Sequence, residues 1–173
     1  FDDVDSDNNG VQDGDEDRDN DGLSDRFEIN QTQTNFENYN TDGNGLRDGD
    51  EDHDQDGLSN LQELNITLTD LALIDSDGDG IHDGDEDSDN DGLSDATEIN
   101  LTNTNFKDSD SDDNGINDAD EDYDGDGLSN TIELLVTSTM PNKRNSNLGD
   151  PADDHLDDGD EDLDGDGLSN LQE

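Results

Sequence analysis

Apolar residues along this 173-residue chain are sparse, and they fall in register. One aliphatic residue recurs at the seventh place of a twelve-residue acidic unit: Val11, Leu23, Leu46, Leu58, Ile81, Leu93, Ile116, Leu128, Leu156 and Leu168. Between units, Phe1, Phe36, Leu71 and Phe106 stand 35 residues apart. A single period, residues 5–39, offers only Val11, Leu23, Phe27, Ile29, Phe36 and Tyr39 as clear apolar side chains. That set cannot build a large hydrophobic core, so the pattern predicts a mostly irregular coil of tandem loops with a small apolar seam shared between them. The only regular element it predicts is a short helical turn after each even-numbered unit, where Asp25 and Glu28 stand three apart as in a capping box. No apolar run is long enough to span a bilayer.

The units come in pairs, which is an internal repeat. DSDNNGVQDGDE (5–16) runs directly into DRDNDGLSDRFE (17–28), and equivalent pairs occupy 40–63, 75–98, 110–133 and 150–173. The linkers are 29–39, 64–74, 99–109 and 134–149, and the last is five residues longer than the others. Beginning at Phe1 and closing on Glu173, the final residue of a unit, the chain reads as a segment of a longer array whose export signal would lie outside it.

Composition sharpens the picture. The chain carries 55 Asp and Glu against 6 Lys and Arg, a net charge of −49, with 23% hydrophobic residues. Alone, these values describe a disordered chain. They also exclude nucleic acid and insertion into a membrane, because a dense polyanion is repelled by phosphate backbones and anionic lipid. Without cysteine there is no disulfide framework, thiolate metal site or cysteine nucleophile. His53, His82 and His155 occupy inequivalent places in their units and read as solvent-facing filler. No nucleophile is paired with a base and an orienting group, so an enzyme is not expected.

The acids are not scattered. Apart from Asn40 at position 1 of the third unit and the departures of the ninth, each unit fits D-x-[DN]-x-[DN]-G-x5-E, the calcium loop with side-chain oxygens at positions 1, 3 and 5, a carbonyl at 7, a water-mediated ligand at 9 and a bidentate Glu at 12. Position 1 is Asp5, Asp17, Asn40, Asp52, Asp75, Asp87, Asp110, Asp122, Asp150 and Asp162. Position 3 is Asp7, Asp19, Asp42, Asp54, Asp77, Asp89, Asp112, Asp124 and Asp164, with Ala152 in the ninth unit. Position 5 is Asn9, Asp21, Asn44, Asp56, Asp79, Asp91, Asn114, Asp126, Asp154 and Asp166. Position 9 is Asp13, Asp25, Asp48, Asn60, Asp83, Asp95, Asp118, Asn130, Asp158 and Asn170. Position 12 is Glu16, Glu28, Glu51, Glu63, Glu86, Glu98, Glu121, Glu133, Glu161 and Glu173, which leaves Glu37 as the one Glu elsewhere. Composition alone cannot produce that placement. Alternate side chains of a tightly curled segment converge on one ion, and Gly at position 6 permits the bend. The six to eight hard oxygens suit calcium better than the stricter octahedron of magnesium.

The ninth unit lacks a ligand at Ala152 and the Gly at His155, so a weakened site using Asp153 is expected there. Odd-numbered units carry a further acid at position 11, Asp15, Asp50, Asp85, Asp120 and Asp160, placed to help hold second ions at the junction of paired loops. One ion per loop would bring the charge from −49 to −29, and two per loop to −9. With so little apolar surface, calcium binding is expected to be coupled to folding. Three linkers place N-x-T in phase at Asn30, Asn65 and Asn100, each a candidate glycan acceptor in a secreted chain.

The stretches DGDGIHDGDEDSDNDGLSDATE (77–98) and DSDSDDNGINDADEDYDGDGLSNTIE (108–133) resemble the thrombospondin type 3 repeat in its cysteine-free prokaryotic form. The resemblance implies a chain wrapped around a string of calcium ions, with little regular structure, in extracellular and cell-surface proteins. The animal version carries disulfides that this chain lacks. Helix-flanked EF-hands do not fit, because paired loops abut with no intervening residues and position 8 is polar throughout.

The expectation is therefore a calcium-stabilised, elongated tandem repeat: a rigid spacer, stalk or filament segment of a surface protein or adhesin, in contact with neighbouring repeats or like chains. Two other readings are a dockerin-type protein-binding module, disfavoured by the absence of long helices, and an acidic calcium buffer or mineral-binding polyanion. Countable sites separate the spacer from the buffer.

Overall fold

Each even-numbered loop runs out into a short stretch of helix whose start is written at position 8, which is serine in every even unit. The computed structural model describes residues 4–143, 158–160 and 168–172. In it Ser59 forms a full capping box with Gln62: its hydroxyl accepts from the Gln62 N–H at 3.4 Å, and the Gln62 carboxamide oxygen accepts from the Ser59 N–H at 2.8 Å. Ser94 and Ser129 cap the next two copies. The cap thus falls one residue before the Asp25 and Glu28 pair that the sequence suggested, because position 12 is turned inward and Glu28 is fully buried. The α-helical turns Asp25–Phe27, Asn60–Gln62, Asp95–Thr97 and Asn130–Ile132 widen into π-helical turns at Glu28–Thr32, Glu63–Thr67, Glu98–Thr102 and Glu133–Thr137. Each ends on a left-handed residue, Gln33, Leu68, Asn103 or Ser138.

Among the described residues there is no strand, and no helix is long and apolar enough to cross a membrane. The remaining regular pieces are 3-10 turns, including Asp48–Asp50, Asp83–Asp85, Asp118–Asp120 and Asp158–Asp160 at positions 9 to 11 of the odd loops. The chain divides into two units, residues 1–85 and 86–173, built from the same parts.

Within each unit, the 3-10 turn of an odd loop packs on the even loop that precedes it across the linker. Asp48 and Gly49 are buried in one such contact, Asp83 and Gly84 in the next, and Asp118 and Ala119 in the equivalent one of the second unit. The docking decides which aliphatic side chains form a core. Leu23, Leu58, Leu93 and Leu128 of the even loops are at most 2% exposed, whereas Val11, Leu46, Ile81 and Ile116 of the odd loops are 44–54% exposed. The expected seam therefore draws on one loop of each pair, joined by Leu71 and Phe106 from the linkers. Leu168 is exposed, and Leu156 lies outside the described residues.

Close approach explains the glycine at the docking point. A Cβ on Gly49 would lie 2.5 Å from the carbonyl oxygen of Asp21 and 3.1 Å from the Leu61 side chain. Where the chain has Ala119 instead, position 10 of the following loop is Thr131 rather than leucine, and its hydroxyl donates to the Ala119 carbonyl at 2.9 Å. Small residue with large neighbour has become larger residue with smaller neighbour. Gly49→Ala is expected to destabilise the fold by about 1–3 kcal/mol through overpacking. Adding Leu61→Thr should recover part of that loss, as measured by chemical denaturation of both variants.

Candidate metal centres

The loop backbone aims the ligand arms before any ion is considered. In the second loop Gly22 N–H donates to one carboxylate oxygen of Asp17 at 3.1 Å, Asp21 N–H to Asp19 at 3.3 Å, and Leu23 N–H to Asp21 at 2.8 Å. The same three bonds recur in the loop of Asp87, Asp89 and Asp91 and in that of Asp122, Asp124 and Asp126. Asp19, Asp89 and Asp124 at position 3 are thus fixed through one oxygen, and the other is buried without a partner. Carboxylate oxygens of Asp17, Asp19 and Asp21 lie within 4.8 Å of one another, as do those of Asp52, Asp54 and Asp56, and of Asp75, Asp77 and Asp79. The bend needs two left-handed residues: Gly at position 6, such as Gly22 at φ 100°, and position 4, such as Asn20 at φ 62°. Asn, Gly, Gln and Asp fill position 4, which is consistent with its conformation.

The even and odd loops then part company. Among the described residues, the buried carboxylate oxygens without a hydrogen-bond partner include those of Asp19, Asp21 and Glu28, of Asp54, Asp56 and Glu63, of Asp89 and Glu98, and of Asp124, Asp126 and Glu133. All belong to even loops. Glu28, Glu63, Glu98 and Glu133 are completely buried. Burial, followed by the charge of neighbouring aspartates, pushes each of these four up to about 8. Burial likewise raises Asp21, Asp54 and Asp124 to about 6. Buried carboxylates with nothing to pair with are strongly unfavourable, and a hard oxygen-seeking cation meets that need. These donor sets fit calcium.

In the four odd loops described in full, the residues at positions 1, 3 and 5 are mostly exposed, and in three of them the position-12 Glu has a side-chain partner at position 5. The carboxamides of Asn9, Asn44 and Asn114 donate to Glu16, Glu51 and Glu121 at 3.0, 2.7 and 2.5 Å. The odd loops hold a similar ligand arrangement in a wetter setting, so their attraction for a cation is more strongly screened.

Position 9 has a structural task that the template does not give it. Its side chain accepts from the N–H of position 2: Asp13 from Ser6 and Asp48 from Thr41 at 2.8 Å, Asp95 from Ser88 at 2.9 Å, and Asn60 from His53 at 3.3 Å. Its own N–H donates to the residue before the loop, as Asp25 does to Glu16 at 2.8 Å and Asn130 to Glu121 at 2.7 Å. Position 9 therefore closes the loop on itself.

A second layer of contacts lies in the linkers and was missed in the sequence. Thr32 and Thr34 bond hydroxyl to hydroxyl at 2.8 Å, and Thr34 donates onward to Glu28 at 3.3 Å. Thr102 with Thr104 serves Glu98, and Thr137 with Thr139 serves Glu133, in the same way. The signal available was a T-x-T in phase with the repeat at 32, 67, 102 and 137. This also accounts for the Thr of the three N-x-T triplets, since the fourth linker keeps Thr137 while having Leu135 in place of Asn. Asn30, Asn65 and Asn100 themselves are exposed.

The position-11 acids stand apart from the buried sets. Asp15, Asp50, Asp85, Asp120 and Asp160 are all exposed; Asp15 pairs with Arg26, and Asp85 lies 3.6 Å from His82. Of the ninth unit only Asp158 to Asp160 are described, so Asp150, Ala152, Asp153, Asp154, His155 and Glu161 lie outside the described residues. The same holds for Asp162, Asp164, Asp166 and Glu173.

Two outcomes are expected. Between about 4.5 and about 8 the ion-free fold retains protons on the four buried Glu that the unfolded chain has released, so its stability falls as pH rises through that window. Calcium must displace those protons; titration calorimetry should show proton release and an affinity that climbs from about pH 5 to about pH 8, and a flat profile would contradict this. Thr104→Val, which removes the donor to Glu98, should weaken one calcium site by about tenfold, read by competition with a chromophoric chelator.

The family model for the bacterial TSP3 repeat matches the chain at residues 17–35, 75–86, 87–105 and 122–135. No curated protein and no solved structure matches it.

Proposed function

We propose that this chain, which carries bacterial TSP3 repeats in four segments, is a calcium-rigidified spacer: a stalk or filament segment of an extracellular or cell-surface protein. The observation that carries the reading is the recurrence, in register, of buried carboxylate oxygens without partners in successive even loops. A folded state that leaves such groups unpaired is unfavourable alone, and it becomes favourable once each set holds a cation. Ion binding is then a condition of order rather than an ornament to it. A spacer needs serial units that each contact their sequence neighbours, and the docking of each odd loop on the even loop before it supplies such contacts within each unit.

Extracellular calcium modules of this loop type bind at about 10⁻⁴–10⁻³ M. Such sites stay empty in cytosol and fill outside the cell, so export itself would switch the chain from coil to spacer. The N-x-T triplets at Asn30, Asn65 and Asn100 expose their Asn, which suits a glycan in a secreted setting.

The test is small-angle scattering with far-UV circular dichroism, in millimolar calcium and after chelation. A defined particle that becomes an expanded coil when calcium is removed, and re-forms when it is returned, is the expected result. Identical scattering in both conditions would sink the proposal.

A further inference from the structure

Asp48, Asp83, Asp118 and Asp158 are at most 2% exposed, although Asp48, Asp83 and Asp118 each belong to an odd loop whose other acids are largely open to water. Their place is across the linker, against the preceding even loop. A carboxylate oxygen of Asp48 lies within 4.8 Å of those of Asp21 and Glu28, and Asp83 stands in the same relation to Asp56 and Glu63. All six residues are buried, and both oxygens of Glu63 and one each of Asp21, Glu28 and Asp56 have no partner. The acids of the odd loop itself, Asp75, Asp77 and Asp79, form a different and more exposed set. Backbone contacts fix the register: Ala119 N–H, one residue after Asp118, donates to Asp91 at 3.1 Å.

We propose that the position-9 Asp of each odd loop that follows an even loop is a ligand of the ion in that even loop, so that this ion bolts two consecutive loop pairs together. The inference rests on the calcium-binding reading and goes beyond it. Even-loop sites are complete only when the following odd loop has docked, and binding there is coupled to packing between repeats. Odd-loop sites are local and require no docking. The hydroxyl and N–H of Ser76, which bond both oxygens of Asp83 at 2.6 and 2.8 Å, hold the carboxylate for this role and leave lone pairs for the ion. Thr41 does the same for Asp48, at 2.7 and 2.8 Å.

The experiment counts calcium ions on the intact 173-residue chain by native mass spectrometry, at a free calcium level that just saturates the wild type. Asp83→Ala and Asp56→Ala should each remove one ion, and the double variant should also remove only one, because both residues serve one site. Asp83→Ala combined with Asp79→Ala should remove two. Ser76→Ala, which loosens Asp83 without deleting its carboxylate, should keep the full count. The inference is overturned if Asp83→Ala combined with Asp79→Ala removes one ion while Asp83→Ala combined with Asp56→Ala removes two, or if Asp83→Ala removes none. Far-UV circular dichroism of Asp83→Ala in saturating calcium, expected to match that of the wild type, reports that the variant still folds. A wild-type chain that takes up no calcium would overturn the calcium-binding reading itself.

Discussion

Carboxylate oxygens that are buried and unpaired govern this structure. Four Glu side chains, Glu28, Glu63, Glu98 and Glu133, are wholly withdrawn from water and surrounded by aspartates. Charge repulsion and lost hydration both oppose that arrangement, and few apolar contacts oppose them in turn: among the described residues the buried apolar side chains are Leu23, Leu58, Leu71, Leu93, Phe106, Ala119 and Leu128. A cation reverses the sign of the electrostatic balance. It converts the repulsion among neighbouring acids into shared attraction, and the same burial that penalised the bare carboxylates strengthens each ion contact.

Even and odd loops have nearly the same local backbone, yet different surroundings. In both, N–H groups two residues ahead fix the acids at positions 3 and 5, as Asp21 does for Asp19 and Asp79 for Asp77. What separates them is coverage. An even loop is roofed by the 3-10 turn of the odd loop that follows, and Gly49 and Gly159 approach the carbonyls of Asp21 and Asp126 so closely that a Cβ would sit 2.5–2.6 Å away. Odd loops have Asn at position 5 in three of the four copies described in full, and that carboxamide satisfies the Glu that a buried site would leave bare. The side-chain choice and the degree of exposure therefore agree.

Much of the local chemistry was legible in the sequence because a calcium loop is a local object. The residue types at positions 1, 3, 5 and 12, the bend at Gly22 and its equivalents, and the lack of long helices all follow from twelve consecutive residues. What could not be read was which loops are buried, since Leu23 and Leu46 occupy the same position with the same side chain and differ only in what docks over them. That docking joins residues such as Asp21 and Asp48 across a linker, and no local periodicity encodes it. The T-x-T relay was hidden for a related reason: Thr34 reaches Glu28 only because the intervening helix widens to a π turn and then reverses at the left-handed Gln33.

Position 9 of the even loops shows how far the repeat departs from a ladder of identical sites. Asn60, Asn130 and Asn170 use the carboxamide to donate 2.6 Å bonds to the carbonyls of Asp48, Asp118 and Asp158, twelve residues earlier, and so tie the two loops of a pair together. A carboxylate cannot donate such a bond. Asp25 instead takes the Arg18 guanidinium at 3.0 Å, which in turn lies over the Phe36 ring, while Asp95 takes the Ser88 hydroxyl at 2.7 Å. Acid or amide at this position is thus a choice of which neighbour the loop holds rather than of how many oxygens it offers an ion. It follows that net charge alone overstates the ligand count: part of the −49 closes loops, and the unpaired inward-facing oxygens of the even loops are the fraction that requires a cation.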